Sequence, residues 1–167
     1  MDIVEGSCVG REFARFGLES GAVMSDYDYD VIVIGSGPGG EGAAMKATKQ
    51  GRSVAVIDRY RRVGGGCTHW GTIPSKALRH AIQVAGQIRS HPLYRKLGGN
   101  QLPTMSVSEL IAAAQEVISK QVQMREGFYD RNFVPVLEGE ASFADAHTIV
   151  LNETDGTVTS MTAEKFV

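Results

Sequence analysis

A glycine-rich turn between an apolar run and a helix-forming stretch constrains the fold more than any other feature. The β-branched run at 31–34 (VIVI) is typical of a strand buried on both faces. It leads into the turn GSGPGG at 35–40, and residues 41–50 are mostly good helix formers. A second apolar run at 54–57 ends at Asp58. A strand, a helix and a strand within about 30 residues predict a βαβ unit with parallel strands.

The turn has the spacing Gly35-x-Gly37-x-x-Gly40. This pattern alone is weak evidence, but a strand before it and a helix after it are the context of a dinucleotide-binding turn. Gly35 permits the tight turn, Gly37 lets a pyrophosphate approach the backbone, and Gly40 lets the helix lie close to the sheet. The helix N-terminus supplies free N–H groups for the phosphates.

Asp58 follows Gly40 by 18 residues, at the end of the second predicted strand. A carboxylate at this place can accept both hydroxyls of an adenosine ribose. It disfavours a 2′-phosphate, so the pattern predicts bound FAD or NAD rather than NADP. The alternative is a structural glycine turn followed by a solvated aspartate.

The remaining residues predict an α/β fold with a mainly parallel sheet and an antiparallel β-meander. Residues 59–72 are expected to form a loop, followed by a helix around Pro74 that runs to about residue 88. Ser106 and Glu109 have the spacing of a capping box, which opens a helix to about residue 129. Short strands are predicted at 133–137, 141–143, 148–151 and 158–161, and residues 163–167 resemble the start of another strand.

Composition narrows the choice of partners. The formal net charge is −2, so the chain has no excess of positive charge that would favour binding to nucleic acid or to an anionic membrane. Two cysteines are too few for a disulfide-stapled scaffold. The chain shows neither a secretory signal nor an apolar stretch of about 20 residues, so a cytoplasmic protein with small-molecule partners is expected. A metal site is not expected, since Cys67 and His69 alone provide too few ligands.

The segment at 64–76, GGGCTHWGTIPSK, resembles the flavoprotein disulfide reductase family. In that family the segment reads G-G-x-C-x-x-x-x-C-x-P-S-K, and its two cysteines form a redox disulfide beside the flavin. Cys67 matches the first cysteine, and Lys76 matches the terminal lysine. Thr72 stands where the family has its second cysteine. Because threonine cannot form a disulfide, the chain is not expected to reduce a disulfide substrate.

The resemblance covers residues 27–167 and is strongest to the transhydrogenases of that family, which lack the second cysteine. It implies a Rossmann-like FAD-binding domain at 27–167, preceded by an N-terminal tail at 1–26. It also implies hydride transfer from NADPH to NAD⁺ through bound FAD, of the Si-specific type, with NAD(P) as substrates and a homo-oligomer for the full-length protein. By this comparison the NAD(P)-binding and dimerisation domains are absent, so the fold is incomplete and the fragment alone is expected to be inactive.

Two alternatives stay open. The chain could be an inactive, truncated FAD-binding module, or it could belong to another FAD-dependent pyridine nucleotide oxidoreductase of the same family. A plain NAD-binding domain is disfavoured because it has no use for the segment at 64–76.

The resemblance also implies roles for individual residues. Cys67, Thr72 and Lys76 match the catalytic region, and the Lys76 ammonium would stabilise negative charge on the flavin. The expected cofactor contacts run along the FAD molecule: Gly35, Ser36, Gly37 and Gly40 at the pyrophosphate, Asp58 and Arg59 at the ribose, Gly65, Gly66, Cys67 and Lys76 at the flavin, and the backbone of Glu140 and Ala141 at the adenine. Each residue also has a structural alternative: Cys67 as a small buried hydrophobe, Lys76 as a solvated lysine, and His69 and Trp70 as packing residues.

Overall fold

The predicted βαβ unit is present in the computed structural model, which describes residues 26–96 and 105–167. The predicted N-terminal tail therefore lies outside the described residues, apart from its last position. The elements in chain order are β1 (Tyr29–Ile34), α1 (Pro38–Lys49), β2 (Val54–Asp58), α2 (Gly65–His69), α3 (Thr72–Ser90), α4 (Pro92–Lys96), α5 (Val107–Arg131), β3 (Val136–Phe143), β4 (Thr148–Glu153) and β5 (Val158–Phe166).

The chain divides into two compact units. The first, called the sheet unit, comprises the described residues up to Val63 together with Gly127–Val167, and it contains all five strands and α1. The second, called the helical unit, is Gly64–Glu126 and contains α2, α3, α4 and most of α5.

The five strands of the sheet unit close into a ring. Strand β1 pairs in parallel with β2 and β5, and β2 pairs in parallel with β3. Strand β4 pairs antiparallel with both β3 and β5. The predicted α/β fold, with a mainly parallel sheet and a β-meander, is therefore confirmed. The parallel sheet and the β-meander share strands β3 and β5. Each of these two strands pairs with a parallel neighbour along one half and with β4 along the other half.

Two strand predictions were wrong in their bounds. Residues 133–137 and 141–143 were expected as separate strands, but the structure has the single strand β3 across Gly139. The glycine does not break the strand, because it is the point where β4 comes close. A Cβ at Gly139 would lie 2.6 Å from the carbonyl oxygen of Asn152. Similarly, the expected new strand at 163–167 is the second half of β5.

The core of the sheet unit is built from residues that alternate along the strands, as the two-residue period of a strand requires. Its buried members are Ile32, Ala55, Ile57, Ile149, Leu151, Met161 and Ala163. In β1 and β2 the neighbouring residues Val33 and Val56 are also buried. These two strands are thus covered on both faces, as their uninterrupted apolar runs predict.

The helix boundaries follow the predicted local signals. Helix α1 ends at Lys49, and Gly51 follows its C-cap with a φ of 75°, which suits only glycine at low cost. Helix α5 begins with the expected capping box: the Ser106 N–H donates to Glu109 Oε2 at 2.6 Å, and the Glu109 N–H donates to Ser106 Oγ at 3.3 Å. The Ser106 N–H and the Ser106 hydroxyl both donate to the Glu109 carboxylate, and these two bonds lower the pKa of Glu109. Residues 59–72 are predicted as a loop, but the structure has the short helix α2 within them.

In the ranges that the structure describes, no helix combines the length and the apolar character needed to cross a membrane.

Replacing Gly139 by alanine is expected to lower the free energy of unfolding by about 1–3 kcal/mol, because the new methyl group overlaps β4. Its Cβ would meet the Asn152 carbonyl oxygen at 2.6 Å and Leu151 Cδ1 at 2.8 Å. Urea unfolding followed by circular dichroism measures the change.

The matched control is Gly86→Ala in α3, where a Cβ meets no described atom within 4 Å. Alanine is the better helix former, so this variant is expected to be more stable by up to about 1 kcal/mol. Equal effects in the two variants would contradict the close approach of β3 and β4.

Candidate functional site

Two of the three glycines of the pattern Gly35-x-Gly37-x-x-Gly40 are required by the protein's own backbone. Gly35 has a φ of 105°, and its N–H donates to the carbonyl oxygen of Ile57 at 2.7 Å. A Cβ at Gly40 would lie 1.9 Å from the carbonyl oxygen of Gly35 and 3.1 Å from Val33 Cγ1. Gly35 therefore sets the sharp turn away from β1, and Gly40 lets α1 lie directly on that turn.

Gly37 has no such structural reason. Its φ is −66°, which any residue adopts, and a Cβ there would meet no atom of the described residues within 4 Å. Gly37 is also the N-cap of α1, and none of the described side chains caps this helix end. The first bond within the helix runs from the Glu41 N–H to the Gly37 carbonyl oxygen at 2.8 Å. The N–H groups of Gly39 and Gly40 thus have no acceptor within the helix, and N–H groups of this kind at a helix start can bind an anionic group.

Asp58 connects the end of β2 to this turn. Its Oδ2 accepts hydrogen bonds from the Ser36 N–H at 2.8 Å and from the Ser36 hydroxyl at 2.5 Å. Its Oδ1 accepts one from the Tyr60 N–H at 3.1 Å. Ser36 is fully buried and Asp58 is only 9% exposed. Asp58 thus lies at the end of β2, as the sequence predicts, but its carboxylate is already largely occupied by hydrogen bonds within the chain.

A groove of about 440 Å³ lies beside Asp58 in the sheet unit. Its lining residues come from the loop after β2, from β3 and from the end of β4: Arg59, Tyr60, Gly139, Glu140, Asn152 and Thr154. Arg59 and Glu140, both predicted as cofactor contacts, are brought together here. The Arg59 guanidinium lies 5.5 Å from the centroid of the Tyr60 ring.

Ala141, the next predicted contact, packs against the core cluster. Its side chain therefore faces inward, and only its backbone could contact a ligand, as the resemblance implies.

Sequence reasoning missed four of the groove residues. Tyr60 follows Arg59 and Gly139 precedes Glu140, so their positions could have been found from their neighbours. Asn152 lies opposite Glu140 in the β3–β4 ladder, which places the two on the same face. Neither this register nor the position of Thr154 after β4 can be read from the sequence, because no turn motif fixes the alignment of β3 with β4.

The other predicted residues lie in the helical unit. Gly64 and Gly65 both have positive φ, at 113° and 59°, and they turn the chain into α2. Helix α2 carries Gly66 and Cys67, and the Cys67 thiol is free and half-buried. Thr72 begins α3, and Lys76 follows one turn later on the same helical face.

Both Thr72 and Lys76 are exposed. Trp70 is 63% exposed and His69 is half-buried, and the centroids of their rings lie 5.5 Å apart. The exposed ammonium and hydroxyl of α3 are available to a ligand.

Three comparisons with known proteins bear on this site. The profile of a family described as pyridine nucleotide-disulphide oxidoreductase matches residues 29–167. A curated relative, the soluble pyridine nucleotide transhydrogenase of Shigella boydii, is 57% identical over 141 residues, which is 84% of this chain and 30% of that protein. The protein of the same name from Escherichia coli K12 is 56% identical with the same coverage. The chain thus spans about a third of the length of these relatives.

Among solved structures, two of the flavoprotein disulfide reductase RclA from Escherichia coli share the fold. One is its Cu(II) complex, with a TM-score of 0.65, and the other has a TM-score of 0.64. Both are 23% identical and cover 83% of this chain and 27% of RclA.

Gly40 and Gly37 are expected to respond differently to alanine. Gly40→Ala should lower the free energy of unfolding by about 3 kcal/mol, because its methyl group overlaps a backbone oxygen that cannot move aside cheaply. Gly37→Ala should change it by less than about 1 kcal/mol, since only the N-cap preference is affected. Urea unfolding of both variants measures the difference, and a similar loss in both would contradict the open space at Gly37.

Proposed function

The chain belongs to the pyridine nucleotide-disulphide oxidoreductase family, and from this we propose that residues 27–167 are the FAD-binding portion of a soluble pyridine nucleotide transhydrogenase. The observation that carries the proposal is the β1–α1 turn, where Gly37 and an uncapped helix end leave room for a diphosphate beside the Asp58 carboxylate. The identity of 57% to a protein of that name supports it.

The residues present fit FAD. The open position at Gly37 and the N–H groups at the start of α1 suit the pyrophosphate, which is anionic. Asp58 would bind the ribose, and the groove lined by Arg59 and Glu140 would hold the adenine. Gly65, Gly66 and Cys67 would line the flavin, with Lys76 near its N5 atom. When bound, FAD supplies the two-electron chemistry that accepts a hydride from one nicotinamide nucleotide and returns it to another.

Thr72 favours a transhydrogenase over a disulfide reductase. Transfer of electrons to a disulfide substrate requires a second thiol close to the Cys67 thiol. The only other cysteine of the chain is Cys8, which lies outside the described residues. Position 72 carries a hydroxyl at the first residue of α3 instead. We therefore assign hydride exchange between NADPH and NAD⁺, with no thiol relay.

Lys76 is the proposed electrostatic group of the site. It is exposed on α3, one turn after Thr72, so its ammonium is free to lie against a bound ring. A fixed positive charge at that place favours negative charge on the cofactor and thereby its acceptance of a hydride.

The complete activity is proposed for a longer protein than the matched portion. We assign to these residues the binding of FAD, and to the parts of the relatives that this chain does not match the binding of NADPH and NAD⁺ and homo-oligomerisation. A cytoplasmic location fits these small-molecule partners. The alternative that the sequence leaves open is a module that binds FAD without turnover. An assay of NADPH oxidation coupled to NAD⁺ reduction separates the two.

The 167-residue chain is expected to retain FAD near stoichiometry after removal of excess cofactor, and Gly37→Ala is expected to weaken FAD binding at least about tenfold, or 1.4 kcal/mol. The added methyl group occupies the space proposed for the pyrophosphate. Visible absorbance and titration of flavin fluorescence measure retention and affinity.

Gly42→Ala is the control, since it adds a methyl group to the same helix where no described atom lies within 4 Å of the new Cβ. It should leave FAD binding unchanged. A wild-type chain that retains no FAD would contradict the proposed function.

A further inference from the structure

We propose that Asp58 binds a single hydroxyl of the adenosine ribose, through Oδ1, and that Ser36 sets this specificity by occupying Oδ2. The proposal rests on the FAD site proposed above. It departs from the sequence expectation, which was that this carboxylate accepts both ribose hydroxyls.

The Oδ2 atom of Asp58 is fully used by the chain. It accepts the Ser36 N–H at 2.8 Å and the Ser36 hydroxyl at 2.5 Å. An ionised carboxylate has about four acceptor positions, two on each oxygen. Both positions on Oδ2 are therefore taken by one residue, and neither remains for a ligand.

The chain uses only one of the two acceptor positions on Oδ1 of Asp58. This oxygen accepts the Tyr60 N–H at 3.1 Å, which leaves one of its acceptor positions. Asp58 is 9% exposed, so the chain does not cover the residue completely. A ribose brings two neighbouring hydroxyls, each of which can donate, but the carboxylate has a place for only one of them.

Ser36 is not expected to give way to the second hydroxyl. The N–H of the preceding Gly35 donates to the Ile57 carbonyl oxygen at 2.7 Å, and this bond holds Ser36 next to the end of β2. The Ser36 side chain is fully buried, and its bond to a carboxylate is of the strong, charge-assisted type. A hydroxyl that left Asp58 would lose that bond where water cannot replace it.

The test compares FAD with two analogues whose adenosine lacks either the 2′- or the 3′-hydroxyl, each titrated into the wild-type 167-residue chain by flavin fluorescence. One analogue is expected to bind about tenfold more weakly than FAD, or worse, because it loses a hydrogen bond to a charged group. The other is expected to bind within about threefold of FAD. Similar losses for both analogues, or no loss for either, would overturn the inference.

Ser36→Ala frees one acceptor position on Oδ2 and is expected to make both hydroxyls matter. The analogue that the wild type tolerates should then bind about tenfold more weakly than FAD. Ser36→Gly removes the same hydroxyl and serves as a second variant, and thermal unfolding checks that each variant is folded. An unchanged pattern in a folded variant would overturn the role of Ser36.

Ser53 provides a matched control. Its N–H and its hydroxyl donate to a single carboxylate oxygen, Oδ2 of Asp30, at 2.7 Å and 2.8 Å. Ser53→Ala therefore removes the same kind of bond away from the turn, and it should keep the wild-type pattern. Absence of FAD binding in the wild type would overturn the proposed function, and this inference with it. Binding of FAD with equal losses for the two analogues would overturn the inference alone.

Discussion

The contact between the Asp58 carboxylate and the N–H and hydroxyl of Ser36 is the interaction on which the site depends. It joins the end of β2 to the turn that follows β1, and the bond from Gly35 to Ile57 reinforces it. With the turn fixed to the second strand, the first residues of α1 are held in place relative to the groove beside Asp58. The proposed anion position and the proposed adenosine position are thus set by a single buried connection, within the part of the chain that forms the sheet unit.

The site also shows why one glycine pattern contains two kinds of requirement. Gly35 and Gly40 would be needed in this fold whatever it bound, because of a positive φ and a Cβ 1.9 Å from a carbonyl oxygen. Gly37 satisfies neither condition, so the fold itself does not require a glycine there. The absence of a side chain at Gly37 matters only if a ligand occupies that space. The backbone geometry of the turn shows this difference, whereas the spacing of the glycines in the sequence does not.

The sequence predicted the parts of the fold that depend on local signals. Three such predictions are confirmed: the βαβ unit, Gly51 just after the end of α1, and the capping box of Ser106 and Glu109. Each of them depends on residues that are close in the chain. The predictions failed where long-range pairing decides. The continuity of β3 across Gly139 follows from the approach of β4, and the placement of Asn152 beside Glu140 follows from a register that no turn residue specifies. The occupation of Asp58 by Ser36 was equally inaccessible, since a residue pair 22 positions apart gives no sign of its hydrogen bond.

The ring of strands has a consequence for how this chain behaves in solution. Each of the five described strands has two partners, but β3 and β5 change partner halfway, so each half of these two strands is paired along one side only among the described strands. Exposed strand edges are the usual template for pairing with other chains, and closing a sheet removes them. The ring therefore leaves β3 and β5 with half-length edges and no full-length one, which limits edge-to-edge pairing through these two strands to short stretches of backbone.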